Sequence, residues 1–286
     1  MTERIETIAA LRARLSPFRS ERRQIGFVPT MGALHRGHAA LIERARAECE
    51  TVVVSIFVNP MQFDRPDDLD RYPRTLEADM ALCASLGADL IFVPSVAEMY
   101  PDPPRCTVDV GDLGDHLCGH FRPGHFKGMA TVVLKLLQIV APDTAYFGEK
   151  DAQQLAIVRR MVSDFNLPAT IAAVEIVREE DGLALSSRNA RLSPDERPLA
   201  RALYAALQEA RTSIETGQRD AALVRERAAK QIPASDRVRL EYLEAVDPAT
   251  MQPLASIDRP VILAGALWVG STRLIDNVRA TPSPRP

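Results

Sequence analysis

Gly26 to His38 reads Gly-Phe-Val-Pro-Thr-Met-Gly-Ala-Leu-His-Arg-Gly-His, and it holds the densest chemistry in the chain. His35 and His38 can each give a proton or a hydrogen bond to charge developing on a phosphate. Gly32 and Gly37 let a phosphate approach the backbone with no Cβ in the way. A short apolar strand ends at Val28, a turn of small residues follows, and a helix opens around His35, Gly37 and His38. Such a junction predicts an anion site, because unpaired backbone N–H groups and the helix dipole both point at the ligand. Two histidines at this spacing also suit a cap or a core position. The dinucleotide fingerprint G-x-G-x-x-G is absent here, so a nicotinamide or flavin reading has no motif behind it.

Two further constellations suit a polyphosphate. In Phe147-Gly-Glu-Lys-Asp-Ala-Gln-Gln, Lys150 lies just past a strand's carboxyl end, where an ammonium can pair with a phosphate. Asp151 and Gln154 fall on one face of the helix expected next. Taken alone, Lys150 reads as an ordinary surface lysine. In Leu185-Ser-Ser-Arg-Asn, the hydroxyls of Ser186 and Ser187 and the guanidinium of Arg188 suit a triphosphate. Taken alone, this is a polar loop near a helix cap. Gln62, between Met61 and Phe63, suits the recognition of a small polar substrate in an apolar pocket. Asn59 reads equally well as a turn residue. His116, Cys118, His120 and His125 are dense enough to raise a zinc site, but their spacing matches no finger.

These residues need a scaffold that gathers strand ends. Thr51 to Val58 is β-branched and apolar throughout, as in a strand buried on both faces of a parallel sheet. Gln24–Val28, Asp89–Pro94, Thr144–Phe147 and Ala169–Val177 read as further strands. Helical periodicity covers residues 5–15, 38–50, 76–86, 129–140 and 152–165, with Gly87 as a cap. Asp64 to Arg74 reads as a loop, and Pro101 to Gly128 as a long irregular stretch. Alternation at this spacing predicts βαβ units. Ligands collect beyond the carboxyl ends of such strands, where Asn59 and Gln62 also fall. Beyond Val177 the character changes: Ser193-Pro-Asp-Glu starts helices that run to about Gln231, divided at Gly217, and strands follow at 237–245, 261–269 and 271–278. The expected architecture is α/β, a Rossmann-like doubly wound parallel sheet over residues 1–176 followed by a smaller α+β lid domain over 177–286.

At 286 residues the chain has room for one large or two modest domains. A net charge of −3 with no basic run argues against nucleic acid as a partner. No apolar run approaches a membrane span. Met1-Thr-Glu-Arg-Ile-Glu lacks the apolar core of a secretion signal, and Cys49, Cys83, Cys106 and Cys118 lack C-x-x-C spacing. The expectation is a cytoplasmic protein with reduced thiols. Ala280 to Pro286 is a proline-rich tail.

His-x-Gly-His resembles the signature of the nucleotidyltransferase superfamily, and Ser186-Ser187-Arg188 resembles a degenerate form of the later loop of class I aminoacyl-tRNA synthetases. A closer resemblance covers nearly the whole chain. Pro29-Thr-Met-Gly-Ala-Leu-His-x-Gly-His, Phe57-Val-Asn-Pro-x-Gln-Phe, Tyr72-Pro-Arg-Thr, Arg122-Pro-Gly-His-Phe, Phe147-Gly-Glu-Lys-Asp-x-Gln-Gln and Leu183-Ala-x-Ser-Ser-Arg-Asn occur in the order found in the pantothenate synthetase family. The resemblance implies ATP-dependent condensation of pantoate with β-alanine through a pantoyl adenylate, with magnesium, in a homodimer. It implies ATP contacts from Met31, Gly32, Ala33, Leu34, His35, Arg36, Gly37 and His38. It adds Gly148, Glu149, Lys150, Asp151, Val177, Leu185, Ser186, Ser187 and Arg188. His38 would be the proton donor with His35 beside it, and Gln62 and Gln154 would hold pantoate, Gln62 touching β-alanine as well. Leu185 stands where many relatives carry Met, a volume-conserving change. No metal ligands follow from the motifs, although Asp79 is a conceivable magnesium contact. An adenylyltransferase acting on a phosphate ester, and a nucleotide sensor without chemistry, are the competing readings.

Overall fold

Apolar runs too short for helices and too long for turns become the strands of a parallel sheet. The computed structural model describes residues 2–284. Six strands, β1 (Glu3–Ile5), β2 (Ile25–Thr30), β3 (Thr51–Ile56), β4 (Leu90–Phe92), β5 (Thr144–Gly148) and β6 (Thr170–Val174), form a parallel sheet in the order β1-β4-β3-β2-β5-β6. β3 is buried at every position, as its unbroken β-branched sequence requires. The architecture is the expected Rossmann-like parallel sheet with connecting helices. Three antiparallel strands, β7 (Val238–Val246), β8 (Val261–Val269) and β9 (Thr272–Ala280), form a second sheet in the order β7-β8-β9. Its core packs the Ala202–Glu215 helix, through Leu203, Leu207 and Ile214, with Leu243, Leu263 and Leu267.

Several elements differ from the sequence expectation. Residues 3–5 extend the sheet as an edge strand, and the first helix starts only at Ile8, where Thr7 Oγ1 accepts from Ala10 N. The stretch expected to be a loop at 64–74 holds a short helix, Pro66–Asp70, with proline in its first turn. The irregular stretch from Pro101 contains turns of helix at Gly111–Gly114 and Leu117–Phe121. The next helix, His125–Val140, begins four residues before its periodicity becomes visible, because Gly124 takes the left-handed conformation at its start (φ +80°). β9 continues through Ala280, and Arg219 donates to the Ser283 carbonyl; Arg285 and Pro286 lie outside the described residues.

The chain separates into two compact units that are not contiguous in sequence. The first runs to Val110 and takes in Arg122–Glu149 and Ile157–Glu175. The second consists of Gly111–Phe121, Lys150–Ala156 and the described residues from Ile176 onward. Among the described residues no helix is long and apolar enough to cross a membrane.

Candidate active site

In the first unit, the chain passes from β2 to β3 and β4 on one side and then crosses to β5 and β6 on the other. The order reverses between β2 and β5, which is where a doubly wound sheet opens a ligand crevice. The ladder there is short. β2 pairs with β5 only at Gly26/Thr144 and Phe27/Ala145, whereas β2 stays paired with β3 along its whole length. The carboxyl ends of β2 and β5 therefore part, and the Met31–His38 segment follows directly from the parted end of β2.

The turn after β2 is built differently from the open anion nest that the sequence predicts. Gly32 and Ala33 both take positive φ (+82° and +50°). Gly32 N donates to Thr30 Oγ1, and Ala33 N and Leu34 N donate to the two carboxylate oxygens of Asp79, at 2.9 and 2.8 Å. Thr75 Oγ1 completes the Asp79 contacts at 3.1 Å. The carboxylate is 3 % exposed. The N–H groups of the turn are thus already engaged, and Asp79 clamps the turn.

His35 is the N-cap of the Arg36–Glu48 helix. Its Nδ1 accepts from Gly37 N at 3.1 Å, and His38 Nδ1 accepts from His35 N at 3.2 Å, a reciprocal capping box made of two histidines. The ring centroids are 4.1 Å apart. Because both Nδ1 atoms accept from the backbone, each neutral ring carries its proton on Nε2. The cap reading and the phosphate reading of these histidines are therefore compatible: one nitrogen caps and the other is a donor.

Gln62 is oriented by a similar chain of constraints. Met61 N donates to Asn59 Oδ1, which also accepts from Tyr100 OH at 2.9 Å. Asn59 Nδ2 must then be the donor to Gly128 O and to Gln62 Oε1, at 3.1 and 3.0 Å. That leaves Gln62 Nε2 as the donor side, and it lies 2.9 Å from Met31 Sδ. Burial pushes Tyr100 up to about 12, so its hydroxyl stays protonated and donates. The Gln62 carbonyl accepts from His125 Nδ1 at 2.7 Å, and Arg122 reaches both His125 Nε2 and, through its Nε, Asp64 Oδ1. His125 thus has the opposite tautomer to the other pair. The Pro60–Gln62 turn lies so close to the His125–Val140 helix that a Cβ on Gly128 would sit 2.0 Å from the Met61 carbonyl.

Gly148 and Glu149 close a segment of the first unit, and the second unit holds Lys150, Asp151, Gln154, Val177, Leu185 and Ser186 to Arg188. Lys150 lies in the Glu149–Asp151 turn after β5, with Nζ 3.8 Å from Asp151 Oδ2. Of the following glutamines, Gln153 is buried and donates to the carbonyls of Leu113 and His116, while Gln154 is partly exposed. Val177 O accepts from Leu185 N at 3.0 Å, and Arg178 bridges Ala184, so a hairpin presents the loop at Ser186. Ser186 Oγ accepts from Arg188 N at 3.2 Å and starts the Ser187–Arg191 turn. Asn189 Nδ2 holds that turn to Glu179 and to the Ala184 carbonyl. Sequence reasoning missed Arg178, Asp276 and Asn277. Arg178 makes a bidentate pair with Asp276 at 2.6 and 3.0 Å, and Asn277 Nδ2 donates to Lys150 O at 3.0 Å. Asp276 and Asn277 lie inside a strand and carry no local motif, so only the fold reveals them.

The histidine and cysteine cluster has other partners. Cys118 Sγ lies 3.1 Å from Tyr242 OH and 3.5 Å from an Arg273 nitrogen, and His120 meets Phe121 edge to face. Among the described residues, no group of three or more His, Cys, Asp and Glu side chains is arranged to hold a metal ion.

Comparison with known proteins decides the family. The sequence pattern described as pantoate-beta-alanine ligase matches residues 3–279. The chain belongs to this family. A pantothenate synthetase of Thermotoga petrophila is 50 % identical over 96 % of this chain and 98 % of its own length. A bifunctional pantoate ligase/cytidylate kinase of Thermosynechococcus vestitus is 55 % identical over 96 % of this chain, which spans only 54 % of that protein. Among solved structures, a pantothenate synthetase of Thermus thermophilus superposes with a TM-score of 0.92 at 47 % identity, covering 98 % of this chain and 100 % of that one. A pantoate-beta-alanine ligase of Francisella tularensis, complexed with beta-gamma ATP and beta-alanine, superposes with a TM-score of 0.81 at 35 % identity over 97 % of both chains.

Proposed function

We propose that the chain condenses pantoate with β-alanine using ATP, through a pantoyl adenylate. A pantoate carboxylate oxygen attacks the α-phosphorus, the bond from that phosphorus to the β-phosphate bridging oxygen breaks, and pyrophosphate leaves. The amine of β-alanine then attacks the acyl carbon, the acyl–oxygen bond breaks, and AMP leaves with pantothenate as product. The observation that carries this reading is the reciprocal capping by His35 and His38, which puts both ring protons on Nε2 at the parted end of β2. Donors fixed before the reaction stabilise charge at the α-phosphate without reorganising, and one such donor is worth roughly 3 kcal/mol. His38 is assigned as the proton donor and His35 as its neighbour on the phosphates. Gln62 Nε2 donates to a pantoate oxygen, and Gln154 is assigned to the same substrate. Lys150, Ser186, Ser187 and Arg188 supply cation and hydroxyl contacts to the triphosphate. Met31, Gly32, Ala33, Leu34, Arg36, Gly37, Gly148, Glu149, Asp151, Val177 and Leu185 complete the ATP contacts.

Magnesium fits this scheme as a partner of the triphosphate. Such ions are commonly held by substrate phosphates and few protein groups, and Asp79 is engaged by the turn. When bound, the ion would neutralise phosphate charge. The family resemblance also supports a cytoplasmic location and a homodimer, and light scattering on the purified chain tests the dimer. The function itself is tested by pyrophosphate release with ATP, pantoate and β-alanine supplied in turn. Release should require pantoate but not β-alanine, and pantothenate should require all three. Release that needs a phosphate ester instead of pantoate, or no release at all, would overturn the reading.

A further inference from the structure

The residues assigned to the triphosphate in the second unit come from two separate stretches, the Lys150 turn and the Ser186–Arg188 loop. One buried group joins them. Asp276 and Asn277 sit side by side in β9, and both are almost fully buried. Asp276 takes both terminal nitrogens of Arg178, and the Asn277 carbonyl accepts a further bond from Arg178 at 3.2 Å. The same guanidinium donates to Gly182 O at 3.1 Å and lies 3.9 Å over the ring centre of Tyr204. Arg178 is thereby fixed on every side, and with it the hairpin in which Val177 pairs with Leu185, immediately before Ser186. From the other end of the group, Asn277 Nδ2 holds the main-chain carbonyl of Lys150 itself. A bidentate pair of this kind fixes orientation as well as distance, which a single hydrogen bond does not. Burying it for stability alone is a poor exchange, since an apolar set of the same shape often does as well.

We propose that Arg178, Asp276 and Asn277 are positioning residues for phosphate transfer, holding the Lys150 turn and the Ser186–Arg188 loop in one preset arrangement that receives the triphosphate. The proposal rests on the assignment of those two stretches to ATP. Preset contacts lose less freedom on binding and are in place when charge moves.

The decisive variant is Asn277→Ala, which leaves the Arg178–Asp276 pair in place and removes the bond to Lys150 O. Arg178→Lys, which keeps the charge but loses the fork, is its companion. The KM for ATP should rise about 10-fold in each, a change of about 1.4 kcal/mol, while the KM for pantoate stays within about twofold. The Asn277→Ala/Lys150→Ala double variant should have the same ATP KM as Lys150→Ala alone, because the first residue acts through the second. A purely structural role would instead lower the unfolding midpoint and alter both KM values together, or leave both untouched. Either result, or additive losses in the double variant, overturns the proposal. If Lys150→Ala itself leaves the ATP KM unchanged, the assignment of Lys150 has failed. If Lys150→Ala raises it and Asn277→Ala does not, only the positioning role has failed.

Discussion

In His38, Nδ1 accepts from the His35 backbone, which leaves the proton of the neutral ring on Nε2, the atom proposed to donate to the phosphate. Replacing the residue with alanine removes both the acceptor and the donor. His38→Ala should lower pyrophosphate release by about 100-fold or more and cost about 1 kcal/mol of stability through the lost cap. His38→Asn should restore the urea midpoint, because an amide oxygen can replace Nδ1 as acceptor, without restoring the rate. Recovery of both by asparagine would show that the ring's only task is to cap. Asp79 invites the complementary test. Asparagine at that position has one acceptor oxygen where the turn uses two, so it leaves Ala33 N or Leu34 N facing an NH2 group. Asp79→Asn should cost about 1–3 kcal/mol, and the magnesium concentration giving half-maximal rate should stay where it is. A large shift in that concentration would return Asp79 to the metal. The two histidines were legible from the sequence because their residue type carries the chemistry. Their tautomers were not, because these depend on which backbone N–H each ring meets. The engagement of the turn's N–H groups was hidden for a similar reason, since its acceptor sits on a helix far along the chain.

Gln62 is held by an element contact as well as by its hydrogen bonds. The Pro60–Gln62 turn packs backbone to backbone against the His125–Val140 helix at Gly128, where an added Cβ would stand 2.0 Å from Met61 O and 2.7 Å from Gln62 N. Neither atom belongs to a flexible side chain, so the turn or the helix must move. Gly128→Ala should therefore raise the KM for pantoate about 10-fold and lower stability by about 1–3 kcal/mol, with the KM for ATP little changed. Equal losses for both substrates would mean that the contact holds up the unit in general and not the amide in particular. Elements with an unambiguous sequence period were read well. β8 matches its expected span, and β3 ends two residues early because the chain turns at Asn59. Elements too short to show a period were missed: β1 has three residues, and its pairing with β4 is what makes it a strand. The helix expected from Met129 starts at His125 because Arg122-Pro-Gly looks like loop until Gly124 turns the chain into it. Gly128 carried no signal at all, since a glycine at a close approach looks in sequence like any other helix defect.

At the scale of the whole molecule, the compact units cut across the sequence. Leu117 and Ala156 belong to an apolar cluster with Val246, Met251, Ile262 and Ala264, all within the second unit. Gln153 anchors the Leu113 and His116 carbonyls in the same region, and Asn277 anchors Lys150. Severing the chain after residue 176 would leave the Gln153 contacts within one piece but would part Leu117 and Ala156 from Val246, Met251, Ile262 and Ala264, and Lys150 from Asn277. The piece 1–176 would expose Leu117 and Ala156, and the piece 177–286 would lose the packing beneath Val246 and Ile262. Each buried aliphatic side chain exposed this way forgoes roughly 1.5–3 kcal/mol, against domain stabilities of about 5–15 kcal/mol. Trp268, the single tryptophan, reports on the second piece from β8, where its indole donates to Glu241 at 2.7 Å. Expressed alone, the 177–286 piece should show red-shifted Trp268 emission and no cooperative urea transition, and the 1–176 piece should bind an apolar dye. Mixing the pieces should shift the emission back toward that of the intact chain, because the missing segments then supply the buried face. A 177–286 piece that unfolds cooperatively with native emission would show that Gly111–Phe121 and Lys150–Ala156 decorate this unit without supporting it.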